Sequence, residues 1–147
     1  MAHEKRPILA VEDNDDDQFL LREAWKAAGI SNPLTIVENG EQACEYLRGA
    51  GPYADRDAYP LPALVLLDIK LPGMSGLETL AWLRAQDNLR TLPVIILTAS
   101  TWPEEVAEAY THGASSFVIK PSAAQELTDF VAALKNYWLR FNEFTPP

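Results

Sequence analysis

Charged and hydroxyl side chains come directly after several short apolar runs of this chain. Glu12 and Asp13 follow "ILAV", Asp68 follows "LVLL", Thr98 follows "VIIL" and Lys120 follows "FVI". Three carboxylates brought together in a low dielectric repel one another, so they require a cation. Ligation by oxygen alone suits Mg²⁺ or Mn²⁺, and the lysine adds a second positive charge. A carboxylate beside a divalent cation, a hydroxyl and an ammonium group can accept a phosphoryl group.

The elements that must position these residues are strands of one sheet. Apolar runs occupy residues 8–11, 34–37, 64–67, 94–97 and 117–119. Their continuous rather than alternating apolarity predicts strands that are covered on both faces. Segments with helical spacing of apolar residues separate them, so five strands alternate with five helices. We therefore expect a doubly wound, five-stranded parallel α/β domain, in which ligands bind at the carboxyl ends of the strands.

Composition excludes several classes of function. The chain has 147 residues, the length of one ordinary domain, and 48% of them are hydrophobic. Twelve basic and 21 acidic residues give a net charge of −9, which argues against nucleic acid or an anionic membrane as a partner. A single cysteine, Cys44, cannot form an internal disulfide. With no apolar run of about 20 residues and no signal peptide, we expect a cytoplasmic protein.

The same residues are also compatible with other kinds of site. Taken alone, "EDNDDD" could be a solvated helix start, since acidic residues favour helix N-termini. The coincidence of polar groups at four strand ends favours a site instead. A phosphatase with an Asp-x-Asp loop would need an acid where Lys70 stands. A flavin-binding module would need a Ser/Thr-rich phosphate loop after the first strand, where the acidic segment would repel the phosphate.

The chain resembles the receiver domain of two-component response regulators over nearly its whole length. The matching segments are "ILAVEDN", "LVLLDIKLPGMSGLE", "VIILTAS" and "FVIKP", in the family's order and at its spacing. The resemblance implies a flavodoxin-like receiver fold with strand order 2-1-3-4-5. It also implies that Asp68 accepts a phosphoryl group from a histidine kinase, and that the protein catalyses only its own phosphorylation and dephosphorylation.

The resemblance assigns a Mg²⁺ (or Mn²⁺) site. Asp13, Asp68 and the backbone carbonyl of Lys70 would bind the ion directly, and Glu12 would bind it through water. Lys70 and Ser100, each two residues after a site residue, occupy positions that tune the lifetime of the phosphoryl group. The side chain of Lys70 could extend to the phosphoryl group or lie in solvent.

The resemblance also assigns a conformational switch. Lys120 would pair with the phosphoryl group and precede Pro121 in a cis peptide bond. Thr98 would move to hydrogen-bond the phosphoryl group, and Phe117 would rotate into the space that it leaves. The alternative for Phe117 is an ordinary core or surface aromatic residue. The alternative for the whole chain is a pseudo-receiver, an interaction module that works without phosphorylation.

Partners are predicted from the same sequence. With no room for an output domain after Lys120, we expect a stand-alone receiver over residues 1–138 and a tail over 139–147. The segments "LREAWKAAG" and "NYWL", with the long loop at 49–62, resemble regulators that accompany phytochrome-type histidine kinases, so a bacteriophytochrome is the expected kinase. A downstream phosphotransfer or target protein is also possible for such a receiver. The apolar stripe of the last helix and the tail predicts a homodimer, with an interface at Leu134, Tyr137, Trp138, Phe141 and Phe144 unless the tail folds back.

Overall fold

A five-stranded parallel sheet with helices on both faces makes up the computed structural model, which describes residues 6–146. The strands are β1 (Ile8–Val11), β2 (Leu34–Val37), β3 (Leu64–Leu67), β4 (Val94–Thr98) and β5 (Ser116–Ile119). The α-helices are α1 (Asp15–Ala28), α2 (Gly40–Arg48), α3 (Gly76–Ala85), α4 (Pro103–Thr111) and α5 (Ala124–Tyr137). The strand order is β2-β1-β3-β4-β5, with every pair parallel. The predicted fold class and topology are therefore confirmed.

Each face of the sheet has its own apolar core. One core joins α2, α3 and α4 to the sheet and includes Tyr46, Leu80 and Ala109. The other joins α1 and α5 to the opposite face and includes Trp25 and Val131. Because β1 and β3 are buried on both faces, they read as unbroken apolar runs in the sequence. This packing fixes the carboxyl ends of the two central strands, where the predicted site lies.

The helix starts on the site side differ in how they are capped. Asn14 caps α1 by accepting a hydrogen bond from the N–H of Asp17 at 2.9 Å. Ser75 and Glu78 form a reciprocal capping box at the start of α3. Helix α4 begins after Trp102, whose side chain makes no capping hydrogen bond. Within residues 6–146, no helix has both the length and the apolarity that crossing a bilayer requires.

The long connection at residues 49–62 packs against its own domain. The rings of Tyr46, Tyr53 and Tyr59 lie within 5.1–6.2 Å of one another. Arg56 donates hydrogen bonds to the carbonyl oxygens of Tyr46 and Leu47 in the last turn of α2. The loop is therefore a folded cover over α2, and the aromatic rings serve this packing.

The tail after α5 differs from the predicted dimerisation arm. Leu134 is 2% exposed within the core of its own chain, so it is not available to a second chain in this fold. The ring of Phe144 stacks on Trp138 with centroids 6.5 Å apart, and both pack against the same core. Phe144 therefore fits the alternative in which the tail folds back on its own domain. Only Tyr137 and Phe141 of the predicted interface are strongly exposed, at 56% and 66%.

The division between domain and tail remains a prediction at its outer ends. Residues 1–5 and 147 lie outside the described part of the chain. Inside it, the helix ends at Tyr137, and Phe141 and Asn142 continue the turn by donating their N–H groups to the carbonyl of Tyr137. Residues 138–141 therefore form a turn that extends the end of α5, and residues 142–146 return to the domain surface without regular structure.

Candidate functional site

The predicted acidic residues meet at the carboxyl ends of β1 and β3. One carboxylate oxygen from each of Glu12, Asp13 and Asp68 lies within 4.8 Å of the other two. Glu12 and Asp68 are buried, whereas Asp13 is exposed, so the cluster opens to solvent on one side. Oxygen ligands at this spacing, with an open side for water, fit the preferences of Mg²⁺ and Mn²⁺.

Lys120 is the cation of the site. Its ammonium group donates a short hydrogen bond to Glu12 and lies 3.2 Å from Oδ2 of Asp68. Burial acts to lower the pKa of Lys120, but its hydrogen bond to Glu12 and the charge of Asp68 outweigh burial and raise it. The pKa of Glu12 is raised, mainly by burial, with the contact to Lys120 opposing that shift.

The peptide bond before Pro121 is trans, so the expected cis bond is wrong. The N–H of Lys120 donates to the carbonyl oxygen of Thr98 at 2.7 Å, which continues the pairing of β4 and β5 past the strand ends. This pairing directs the side chain of Lys120 towards Asp68. The peptide bond to Pro121 can therefore keep the trans form, which is favoured by about 0.5–1 kcal/mol before proline.

Asp17 is a third carboxylate on Lys120 that the sequence reasoning missed. Its Oδ2 lies 3.0 Å from Nζ of the lysine, and its side chain is 37% exposed. Asp17 lies in the first turn of α1, which begins directly after the acidic pair at the end of β1, so its side chain is near the site. The acidic segment "EDNDDD" was the available signal, but nothing in it distinguishes Asp17 from Asp15 and Asp16.

The loop after β3 is held against the site by a glycine. The N–H of Gly76 donates to the carbonyl of Ile69 at 3.0 Å. A Cβ at position 76 would collide with the backbone carbonyl oxygen of Asp68 and would lie 2.6 Å from Cα of Ile69. The loop therefore turns back so closely that only glycine fits. The N–H of Lys70 donates to Oδ1 of Asp68 at 3.0 Å, which orients the carboxylate.

The predicted switch residues lie on different parts of the fold. Thr98, at the end of β4, is 0% exposed, and its Oγ1 accepts the N–H of Ser100 at 3.4 Å. Phe117 pairs with Ile96 across β4 and β5 and is partly buried against the core under α3 and α4. The structure thus places the threonine at the site edge, and the aromatic ring on the α4 side of the sheet.

Glu105, in the first turn of α4, is a second residue that sequence reasoning missed. It accepts the hydroxyl of Ser100, and its Oε2 lies 3.1 Å from Nζ of Lys70. The hydrogen bond from Ser100, together with Lys70, lowers the pKa of Glu105. No sequence spacing predicts this contact, because it joins two loops to a helix start.

An open cleft lies beside the lysine. It has a volume of about 310 Å³ and runs between α1 and the start of α5. Glu12, Asp17 and Lys120 are its charged lining, Ser122 adds a hydroxyl group, and most of its apolar lining is leucine. The cleft gives an incoming group access to the ammonium side of the cluster.

Comparisons with known proteins agree with this geometry. Residues 8–132 match the response regulator receiver domain family. Among curated relatives, the chain is 32% identical to the response regulator Rcp1 of Synechocystis sp. over 142 residues, 95% of each chain. It is 34% identical to the probable methanogenesis regulatory protein FilR2 of Methanothrix harundinacea, over 95% of this chain and 88% of that one.

Solved structures show the same likeness. The response regulator RPA3017 in red light signalling of R. palustris has a TM-score of 0.91 at 32% identity, with 97% of this chain and 99% of that one covered. The phosphorylated cyanobacterial phytochrome response regulator RcpA has a TM-score of 0.89 at 28% identity, with the same coverage. The Mn²⁺-bound form of Rcp1 has a TM-score of 0.86 at 30% identity, over 96% of this chain and 99% of that one.

Proposed function

Since the chain belongs to the response regulator receiver domain family, we propose that it accepts a phosphoryl group from a histidine kinase on Asp68. The observation that supports this most strongly is the arrangement of Asp68 between two acids and Lys120 at the open edge of the sheet. A pseudo-receiver would not need this set. The ion pairs and the buried carboxylates are costly to keep in a fold unless they act on a ligand.

The acidic cluster is the proposed holder of a divalent cation. Asp13 and Asp68 would bind Mg²⁺ or Mn²⁺ directly with the backbone carbonyl of Lys70, and Glu12 would bind it through water. Such an ion supplies charge neutralisation of the attacking carboxylate and of the transferring phosphoryl oxygens. The response regulator Rcp1, whose structure is 30% identical to this chain, has a Mn²⁺-bound form, and this supports the assignment.

The chain's own groups would direct the transfer. A carboxylate oxygen of Asp68 attacks the phosphorus of a phosphohistidine, the new P–O bond forms and the P–N bond breaks, returning its electron pair to the imidazole. The product is an acyl phosphate. The N–H of Lys70 holds the other carboxylate oxygen, which leaves Oδ2 on the side of Lys120 for the reaction. The ammonium group then pairs with the phosphoryl oxygens.

Thr98 and Phe117 are the residues proposed to change conformation after phosphorylation. The hydroxyl of Thr98 would turn to a phosphoryl oxygen and give up its contact with the N–H of Ser100. The half-buried ring of Phe117 would move inward, which shifts the population between two packings near β4 and β5. A phenylalanine ring carries no hydroxyl that must find a partner when buried.

A phytochrome-type histidine kinase is the proposed partner. Two of the solved neighbours are described as regulators in phytochrome or red light signalling, and each is almost fully covered by this chain. A bacteriophytochrome would therefore supply the phosphoryl group, in the cytoplasm.

A homodimer through the end of α5 is the proposed assembly. Tyr137 and Phe141 lie one turn apart and are both exposed, and Arg140 lies 4.8 Å from the ring of Phe141. Two large apolar side chains on one surface are typical of an interface. Leu134 is buried within its own chain and would not touch the partner, and the partly buried Trp138 and Phe144 would lie at most at the rim of the interface.

Incubation with acetyl phosphate and Mg²⁺ tests the proposed function. We expect one phosphoryl group per chain with the stability of an acyl phosphate, located on Asp68 by mass spectrometry. Asp68→Asn should abolish it, and the exposed Asp55→Asn is the control that should not. Label that persists in Asp68→Asn, or no label on the wild type, would contradict the assignment.

A further inference from the structure

We propose that Glu105 is a positioning residue that couples the phosphoryl state of Asp68 to helix α4. The inference rests on the proposed function, since it concerns the regulation of the same site. In the unphosphorylated protein, Glu105 holds Lys70 and Ser100, the two residues that flank the site. When Asp68 is phosphorylated, the new negative charge competes for both groups, and the first turn of α4 is released.

A chain of polar contacts leads from the phosphoacceptor through Glu105 to Thr98. The N–H of Lys70 donates to Oδ1 of Asp68, and its ammonium group lies 3.1 Å from Oε2 of Glu105. The other oxygen of Glu105 accepts the hydroxyl of Ser100. The N–H of Ser100 in turn donates to Oγ1 of Thr98 at 3.4 Å. A change at Asp68 or at Thr98 therefore reaches Glu105 through one intervening residue.

The start of helix α4 lacks a side-chain cap. Its N-cap residue, Trp102, makes no capping hydrogen bond, as is also true of Ala123 before α5, whereas α1 and α3 are capped by Asn14 and Ser75. Ala109 is the only buried residue of α4. The two side-chain contacts of Glu105 tie the first turn of α4 to the loops at Lys70 and Ser100, so their loss would leave that turn weakly held.

The competition for Lys70 gives the coupling its direction. The side chain of Lys70 is 62% exposed and that of Glu105 is 19% exposed, so the ion pair is open to solvent on the lysine side and is weak and exchangeable. A phosphoryl group carries more charge than a carboxylate and offers three oxygens as acceptors. Once Lys70 turns to it, the ammonium group obstructs the water whose attack on phosphorus would break the P–O bond and release inorganic phosphate.

Two measurements on Glu105→Gln test the inference, with Glu104→Gln as the matched control. Glu104 precedes it in the same turn, is exposed and loses the same charge. In the unphosphorylated protein, hydrogen exchange at residues 104–106 should rise in Glu105→Gln towards the rate in the phosphorylated wild type. After labelling with acetyl phosphate, the lifetime of the phosphoryl group should lengthen about two- to fivefold, the change expected for an exposed ion pair.

A double variant separates coupling from a merely structural role. If Glu105 acts by withholding Lys70, then Glu105→Gln should leave the lifetime unchanged in a Lys70→Gln background. Provided that the wild type takes the label, either of two results would overturn the inference. One is that Glu105→Gln has the same phosphoryl lifetime and exchange rate as Glu104→Gln. The other is that Glu105→Gln lengthens the lifetime in the Lys70→Gln background as much as it does in the wild type. A wild type that takes no label would overturn the proposed function, and this inference with it.

Discussion

At the scale of residues, Glu12 and Asp13 are neighbours with different surroundings. Glu12 is 6% exposed, and its two oxygens are already engaged by Lys120 and the N–H of Asn14. Asp13 is exposed and free of such short contacts to lysine in the described part of the chain. The residue that is ready to bind a cation is therefore Asp13.

This difference predicts unequal losses of metal affinity. Asp13→Ala should weaken Mn²⁺ binding by more than about 100-fold, whereas Glu12→Ala, which removes an outer partner, should weaken it about tenfold. Calorimetric titration of each variant with Mn²⁺ gives both constants. Asp16→Ala is the control, since Asp16 is exposed in the same acidic segment. Equal losses for the first two variants would show that the proposed ligand roles are wrong.

Lys120 also predicts a dependence of stability on metal. Its ammonium group is the shared partner of Glu12, Asp17 and Asp68. In Lys120→Met the two buried carboxylates lose their counter-ion, which should cost about 3 kcal/mol of unfolding free energy in EDTA. Mg²⁺ should restore much of this loss, so the metal-induced rise in Tm should exceed that of the wild type. An equal rise in both proteins would contradict the shared-counter-ion account.

At the scale of elements, the site depends on loops that are held by backbone contacts. The segment from Asp68 to Gly76 doubles back on itself, and the start of α3 is fixed by the capping box of Ser75 and Glu78. Since the carbonyl of Lys70 belongs to this segment, its position follows from the fit of Gly76 against Asp68. The proposed metal site and the fold of the loop therefore form one structural unit.

Gly76→Ala tests this unit. The added methyl group should lower the unfolding free energy by about 1–3 kcal/mol, because it forces backbone atoms apart. The same change should weaken Mn²⁺ binding in folded protein. Gly29→Ala is the comparison, since Gly29 has a φ of 65° at the end of α1 and is strained without touching the loop. Denaturation with urea should show a loss of stability in both variants, whereas only Gly76→Ala should lose Mn²⁺ affinity. Wild-type Mn²⁺ affinity in folded Gly76→Ala would show that the loop does not position the metal ligands.

At the scale of the whole molecule, the two faces of the sheet carry different surfaces. On one side the end of α5 presents Tyr137 and Phe141, and the tail beyond it folds back so that Phe144 covers Trp138. Removal of the tail would therefore expose part of the domain core as well as remove part of the proposed interface. Point substitutions at the exposed rings are the cleaner test of assembly.

Tyr137→Ser with Phe141→Ser should convert a dimer into a monomer. The mass measured by light scattering at micromolar concentration should fall by half, while phosphorylation of Asp68 continues. Phe19→Ser is the control, because Phe19 is also a strongly exposed aromatic residue but lies on α1. A wild type that is monomeric with and without phosphorylation would refute the proposed assembly.

The sequence by itself determined the strands, their parallel arrangement and the acids at their ends. Central strands such as β1 and β3 are buried on both faces, so their apolar runs are unbroken and easily recognised. Glu12, Asp13 and Asp68 could be placed together because parallel strands end at one edge of a sheet. These features depend on local pattern and on topology, which the order of residues records directly.

Only the tertiary structure decided which side chains meet across elements. Asp17 joins Lys120 over 103 positions of the chain, and Glu105 meets Lys70 from a different helix. Leu134 and Phe144 share a helical stripe with Tyr137 and Phe141, yet the first pair is packed inside and the second lies outside. Helical spacing predicts which residues share a face of a helix. What covers that face depends on the twist of the sheet and the path of the tail, because these arise only when all the elements pack together.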